Sequence, residues 1–114
     1  MALPPLTHQF THKLMTEFCL KRTPPEIQAN VRVGFEIRGN RITISEHRPY
    51  FMDATAPWTN SRIAVLVYDD ANRAWDLFAF NRNSCRMPYD VEPTRDLAVL
   101  IAEIDADPTG IFWG

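Results

Sequence analysis

The sequence predicts an α+β protein in which an antiparallel sheet of about five strands, paired as two or three hairpins, is flanked by an N-terminal and a C-terminal helix on one sheet face. The chain has 114 residues, of which 46% are hydrophobic and 23% charged, as expected for one globular domain over residues 1–114. Apolar residues recur with a helical period at both ends of the chain and alternate in its middle. Helices and strands that are segregated in this way are typical of α+β folds.

The first predicted element is an amphipathic helix over residues 6–20. Its apolar residues at helical spacing are Leu6, Phe10, Leu14, Met15, Phe18 and Cys19. Thr7 or Thr11 is expected to cap its start, because a hydroxyl can accept a hydrogen bond from a free backbone N–H. Pro24 and Pro25 end the helix.

Two alternating segments on either side of Gly39 and Asn40 predict a hairpin with a two-residue loop, since both residues tolerate positive φ. Such a loop fixes which residues face each other. The expected pairs are Arg38 with Arg41, Ile37 with Ile42, Phe35 with Ile44, Val33 with Glu46 and Val31 with Arg48.

The remaining elements follow from apolar segments separated by turn residues. Residues 62–69 and 74–81 predict a second hairpin that supplies the central strands, and residues 85–89 predict a short strand in which Pro88 favours a sheet edge. A second helix is expected to open at Thr94 and to end at residues 107–110. Residues 111–114 then form an apolar C-terminal tail.

The hairpin register places Glu46 and Arg48 on the apolar face, where an unpaired charge is costly. Two interpretations are open. The pair is a structural ion bridge at the rim of the core, or it is a small catalytic cleft in which Glu46 acts as a base and Arg48 binds an anion.

Arginine supplies ten of the twelve basic residues, and Arg32, Arg38 and Arg41 share the opposite face of the first hairpin. These side chains are suited to contact a phosphate backbone. However, no exposed aromatic residue is expected beside them, and the acidic Glu36 lies between Arg32 and Arg38 on the same face, which weakens the attraction for phosphate. A solvated sheet face is therefore the first interpretation, and nucleic-acid binding the alternative.

Phe112 and Trp113 make the C-terminal tail strongly apolar. A terminal segment stays ordered only when it is held by other contacts. The tail therefore packs either into its own core, which we favour, or into another subunit or partner protein.

No glycine-rich phosphate loop, nucleophile elbow or complete metal-ligand pattern occurs in the sequence, so we expect no cofactor and no metal. His8 and His12 have the spacing of two ligands on a helix but lack a third. Cys19 and Cys85 lie far apart, which is typical of reduced thiols. With no signal-like N-terminus and no long apolar segment, the sequence predicts a cytoplasmic protein without membrane association.

Several short motifs in the chain are similar to those of a known family. The most specific are Glu-x-Arg-Pro at residues 46–49 and Asp-Pro-x-Gly-x-Phe-Trp-Gly at residues 107–114. From about Phe18 to the C-terminus, the chain resembles the bacterial domain-of-unknown-function family numbered 3024. This resemblance implies a small bacterial protein, usually of one domain, and it implies no activity, cofactor or catalytic residue.

The sequence thus favours a non-enzymatic binding or interaction module, acting as a homo-oligomer or with a protein partner. A small enzyme built around Glu46 and Arg48 is one alternative. A weak nucleic-acid-binding domain that uses Arg32, Arg38 and Arg41 is the other.

Overall fold

The computed structural model describes residues 2–114. Along the chain, one helix precedes and one follows five strands, in the order that the sequence predicts. The elements are α1 (Pro5–Arg22), a single 3-10 turn (Pro25–Ile27), β1 (Arg32–Arg38), β2 (Arg41–Arg48), β3 (Thr59–Asp69), β4 (Ala74–Phe80), β5 (Arg86–Pro88) and α2 (Leu97–Ala106). The α+β class is confirmed.

Helix α1 begins differently from the prediction. Its N-cap is Pro4, no side chain caps its first turn, and Pro5 occupies the first helical position. Proline is suited to that position because its fixed φ is helical and its missing N–H would have no helical partner. Thr7 and Thr11 lie inside the helix, so the prediction that one of them caps its start was wrong.

The five strands form one antiparallel sheet in the order β1-β2-β3-β4-β5. The predicted register of the first hairpin is confirmed from Arg38 opposite Arg41 to Val33 opposite Glu46, and Gly39 has a φ of 61° in its loop. Strand β3 lies in the centre, and β5 is an edge strand, as Pro88 indicates. A register shift at Ile44 and Ser45 offsets β2 against β3.

The hydrophobic core lies between the two helices and one face of the sheet. Its members include Met15 and Phe18 from α1, Ile42 and Ile44 from β2, Leu66 from β3, Trp75 and Leu77 from β4, and Leu100 and Ile104 from α2. Because both helices contribute to the same cluster, they cover the same sheet face. The opposite face is left without a helix among the described residues.

The second helix starts at Leu97, three residues later than expected. Asp96 caps it, and its carboxylate accepts a hydrogen bond from the Ala98 N–H at 3.1 Å. Thr94 instead forms an isolated β-bridge with Trp75, through backbone hydrogen bonds of 2.7 and 3.3 Å. The predicted start at Thr94 was therefore wrong.

Candidate functional site: an arginine-rich sheet face

The sheet face that the helices leave uncovered carries a row of basic residues. Alternation along β1 and β2 places Arg32 opposite His47, Glu36 opposite Thr43 and Arg38 opposite Arg41. None of these residues belongs to the hydrophobic core. The face that the sequence assigned to Arg32, Arg38 and Arg41 is thus the open one.

Strands β3, β4 and β5 extend this face with two further arginines and two phenylalanines. Leu77 and Ala79 belong to the core, so Phe78 and Phe80 between and beyond them lie on the other side of the sheet. Arg86 is paired with Phe80 across β4 and β5. Arg62 lies opposite Ser45.

Three arginines of this face stack on aromatic rings. The guanidinium carbon lies 4.2 Å from the ring centroid for Arg32 over Trp58, 4.5 Å for Arg62 over Phe80 and 4.8 Å for Arg86 over Phe78. Such stacking holds the planar guanidinium group in place. Arg32 Nε donates to the Gln28 carbonyl at 2.9 Å and Arg62 Nη2 to the Ser84 carbonyl at 3.1 Å, so the other N–H groups of these two arginines are the ones that can bind an anion. We call Arg32, Arg38, Arg41, Arg62 and Arg86 together the arginine face.

The charge of the molecule is unevenly distributed around this surface. The face carries its five arginines against three acids, Glu36, Asp69 and Asp76, a net charge of +2. The seven basic and eleven acidic residues elsewhere give −4, so the chain totals −2. The overall charge therefore conceals a local positive surface, which attracts anions at short range.

One end of the arginine face forms a surface cleft of about 290 Å³. Arg38, Arg41 and Arg86 line it together with the backbone of the first hairpin loop and Val67. Arg38 has an exposed partner in Glu36, with 3.4 Å between nitrogen and oxygen. Arg41 has no ion pair among residues 2–114. Three arginines that line one cleft are suited to bind one phosphate there.

Part of this face could not be found by sequence reasoning. The register beyond the first hairpin was unknown, so Arg62 and Arg86 could not be assigned to a side. The face was expected to lack exposed aromatic rings, and its three rings are indeed covered: Trp58 and Phe78 are half-buried and Phe80 is buried. One signal was present: Asp76, Phe78 and Phe80 alternate with core-type residues along β4. Asp76 lies on the open face and makes no ion pair with Arg86 among the described residues.

Glu46 and Arg48 form an ion pair at the rim of the sheet. Arg48 Nε donates to Glu46 Oε1 at 3.0 Å, and the side chains are 61% exposed for Arg48 and 23% exposed for Glu46. Neither residue lines any of five cavities of 260 to 440 Å³ on the surface of the described residues, although the neighbouring Ser45 and His47 line one of them. This geometry favours the structural interpretation of the pair over the catalytic one.

The C-terminal tail packs against the helices of its own chain. Phe112 is 4% exposed, and its ring centroid lies 5.0 Å from that of Tyr89. Trp113 donates from Nε1 to the Ile104 carbonyl at 2.8 Å, and Arg22 lies 3.8 Å above its ring. These contacts favour packing into the chain's own core over docking on a partner.

Other chemistry-bearing side chains are scattered. His8 and His12 are both exposed, and no three His, Cys, Asp or Glu side chains within residues 2–114 are grouped so that they could hold a metal ion. Burial raises the pKa of the Cys19 thiol from 9.0 to about 11, so the nucleophilic thiolate is scarce near neutral pH. In the described part of the chain, neither helix has the length and apolar character that crossing a bilayer requires.

Comparison with known proteins identifies a family but no function. The sequence profile of the DUF3024 family, described as a domain of unknown function, matches residues 3–114. The chain belongs to this family. The resemblance noted from the motifs at residues 46–49 and 107–114 is thereby confirmed. Searches of curated proteins and of solved structures found no match for this DUF3024 chain.

Proposed function

We propose that this DUF3024 protein is a non-enzymatic binding module whose arginine face binds single-stranded nucleic acid. The observation that carries the proposal is the set of three arginine–aromatic stacks on a sheet face that no helix covers. An antiparallel sheet presents such side chains at regular spacing, which suits an extended strand of nucleotides.

The chemistry of recognition follows from the two kinds of group on the face. Guanidinium groups bind phosphate oxygens through two parallel hydrogen bonds, and their flat surfaces stack on unpaired bases. The cleft lined by Arg38, Arg41 and Arg86 is the expected phosphate position. Since the phenylalanines lie beneath arginines, base stacking is expected mainly on guanidinium planes, with little preference for sequence.

The binding experiment uses a fluorescein-labelled 20-nucleotide oligo-dT and measures anisotropy as salt is raised. Each neutralised phosphate on a single strand contributes a slope of about −0.7 in log K against log salt. Five arginines therefore give about −3.5 at most, which is roughly a hundredfold weaker binding at 200 mM than at 50 mM salt. Absence of binding at about 50 mM salt would falsify the proposal.

Two double variants make the test specific to the face. R38Q/R41Q removes two exposed charges that support no aromatic stack, so it should weaken binding and reduce the slope by about 1.4. R73Q/R95Q removes the same charge from residues outside the face and should leave the binding of oligo-dT unchanged. Equal losses in both variants would indicate nonspecific attraction and refute the assignment of the face.

We also propose that the protein is located in the bacterial cytoplasm. We further propose that it can assemble as a homo-oligomer. Both cysteines are free, Cys19 half-buried and Cys85 exposed, which is compatible with a reducing compartment. Fractionation of cells that express a tagged chain, together with the mass of the purified protein in solution, tests both points. A protein recovered in the membrane fraction would contradict the location.

A further inference from the structure

Another of the surface cavities shares no residue with the arginine face and lies between α1, the β3–β4 hairpin and the start of α2. Its volume is about 440 Å³, within the range of small-molecule sites, about 300 to 1,000 Å³. Tyr68 and Trp75 form buried aromatic walls, and Phe10 lies exposed at the edge. We call it the Thr11 pocket, because Thr11 is also among its lining residues.

Thr11 has a hydroxyl group without a partner. The residue is 0% exposed, and its Oγ1 makes no hydrogen bond. Two other threonines of the same helix region satisfy their hydroxyls by donating to the carbonyl four residues earlier: Thr16 to His12 at 2.7 Å and Thr23 to Cys19 at 3.0 Å. A buried polar group that is left unpaired destabilises the protein, so it requires an explanation.

Two arginines at the same pocket lack acidic partners. Arg73 and Arg95 both line the cavity and are exposed. Neither forms an ion pair within the described range, residues 2–114. The lining also includes no Asp or Glu, so the pocket combines apolar aromatic walls with uncompensated positive charge.

We propose that the Thr11 pocket binds a small amphipathic anion, with an aromatic body against Phe10, Tyr68 and Trp75 and a carboxylate held by Arg73 and Arg95. Because Thr11 is 0% exposed, its hydroxyl reaches the ligand only when the ligand displaces the side chains that cover it, and it then forms a hydrogen bond with a polar atom of the ligand. This site shares no residue with the arginine face, so either can fail without the other.

The probe is 2-naphthoate, and its neutral analogue is 2-naphthalenemethanol. Titration into the isotopically labelled protein should shift the amide resonance of Thr11 and the indole resonance of Trp75. Calorimetry on R73Q/R95Q should then show about tenfold weaker binding of naphthoate, because each exposed charge pair contributes up to about fivefold. The neutral analogue should bind the wild-type protein and R73Q/R95Q equally.

The matched control is R38Q/R41Q, which removes two arginines from the other face and should bind naphthoate as tightly as the wild type. Thr11→Val separates a structural from a binding role of the hydroxyl: it should raise the melting temperature of the free protein and weaken naphthoate several-fold. Equal affinity in Thr11→Val overturns the role of the hydroxyl. Equal loss in R73Q/R95Q and R38Q/R41Q, or shifts that avoid Thr11 and Trp75, overturns the site.

Discussion

The C-terminal tail allows a quantitative test of how this fold is stabilised, with Phe112→Ala as the perturbation. Folding removes about 150 Å² or more of apolar surface from water when a Phe side chain is buried, and the substitution forfeits this burial. At about 25 cal/mol per Å² this burial contributes about 4 kcal/mol. The ring contact with Tyr89, 5.0 Å between centroids, adds about 1 kcal/mol. We therefore expect a loss of about 4 to 5 kcal/mol in the free energy of unfolding.

Phe51→Ala is the matched control for this substitution. Phe51 is 89% exposed, whereas Phe112 is 4% exposed, so the same chemical change should cost less than about 0.5 kcal/mol there. Urea denaturation followed by circular dichroism gives both values, provided that the slope with denaturant is unchanged.

The assay also decides between the two fates of the tail. If Phe112 packs within its own chain, the stability loss is independent of protein concentration and the mass in solution stays the same. A loss that grows on dilution, with a falling mass, would show that the tail is buried between subunits. A loss below about 1 kcal/mol would refute the packing described for residues 111–114.

Two further predictions concern single side chains. Asp107 has a φ of 47° at the end of α2 and accepts tail N–H groups at 3.0 and 2.8 Å, so Asp107→Ala should cost about 2 to 3 kcal/mol by thermal unfolding. Asp107→Asn, which tolerates positive φ and keeps one acceptor oxygen, should cost about half as much, and equal costs would exclude the carboxylate bridge. Because the pKa of Cys19 is raised from 9.0 to about 11 on folding, its stabilising contribution is complete below pH 9 and is lost as pH rises to 11. Compared with Cys19→Ala at each pH, the wild-type protein should lose stability across that window, and parallel curves would contradict burial of the thiol.

Most of the fold could be predicted from local sequence, since its elements are marked by strong local signals. The Gly39 and Asn40 loop fixes the register of the first hairpin, because a two-residue loop leaves no freedom in pairing. Pro24 and Pro25 mark the end of α1 in the same direct way. The predicted starts of both helices were wrong, because several neighbouring residues can occupy an N-cap position. Pro4 is the N-cap of α1, where Thr7 was expected, and Asp96 is the N-cap of α2, where Thr94 was expected.

The candidate site was predictable only in part. Arg32, Arg38 and Arg41 were placed correctly because they lie in the hairpin whose register was known. Arg62 and Arg86 join them through the pairing of later strands, and the shift at Ile44 and Ser45 changes which β3 residues face the same side. The Thr11 pocket depends on three elements that meet only in the tertiary structure, so no local pattern could indicate it.

The order of the strands has a consequence for how the chain folds. Each strand is paired with its neighbour in sequence, so the sheet forms from consecutive hairpins. Their loops have two to ten residues, and the entropic cost of closing a loop rises only slowly with its length. Sheets of this kind have low contact order and fold fast for a β-rich protein. The bond from Arg22 to Asp105 spans 83 residues, so we expect the docking of the two helices to complete folding after the sheet is in place.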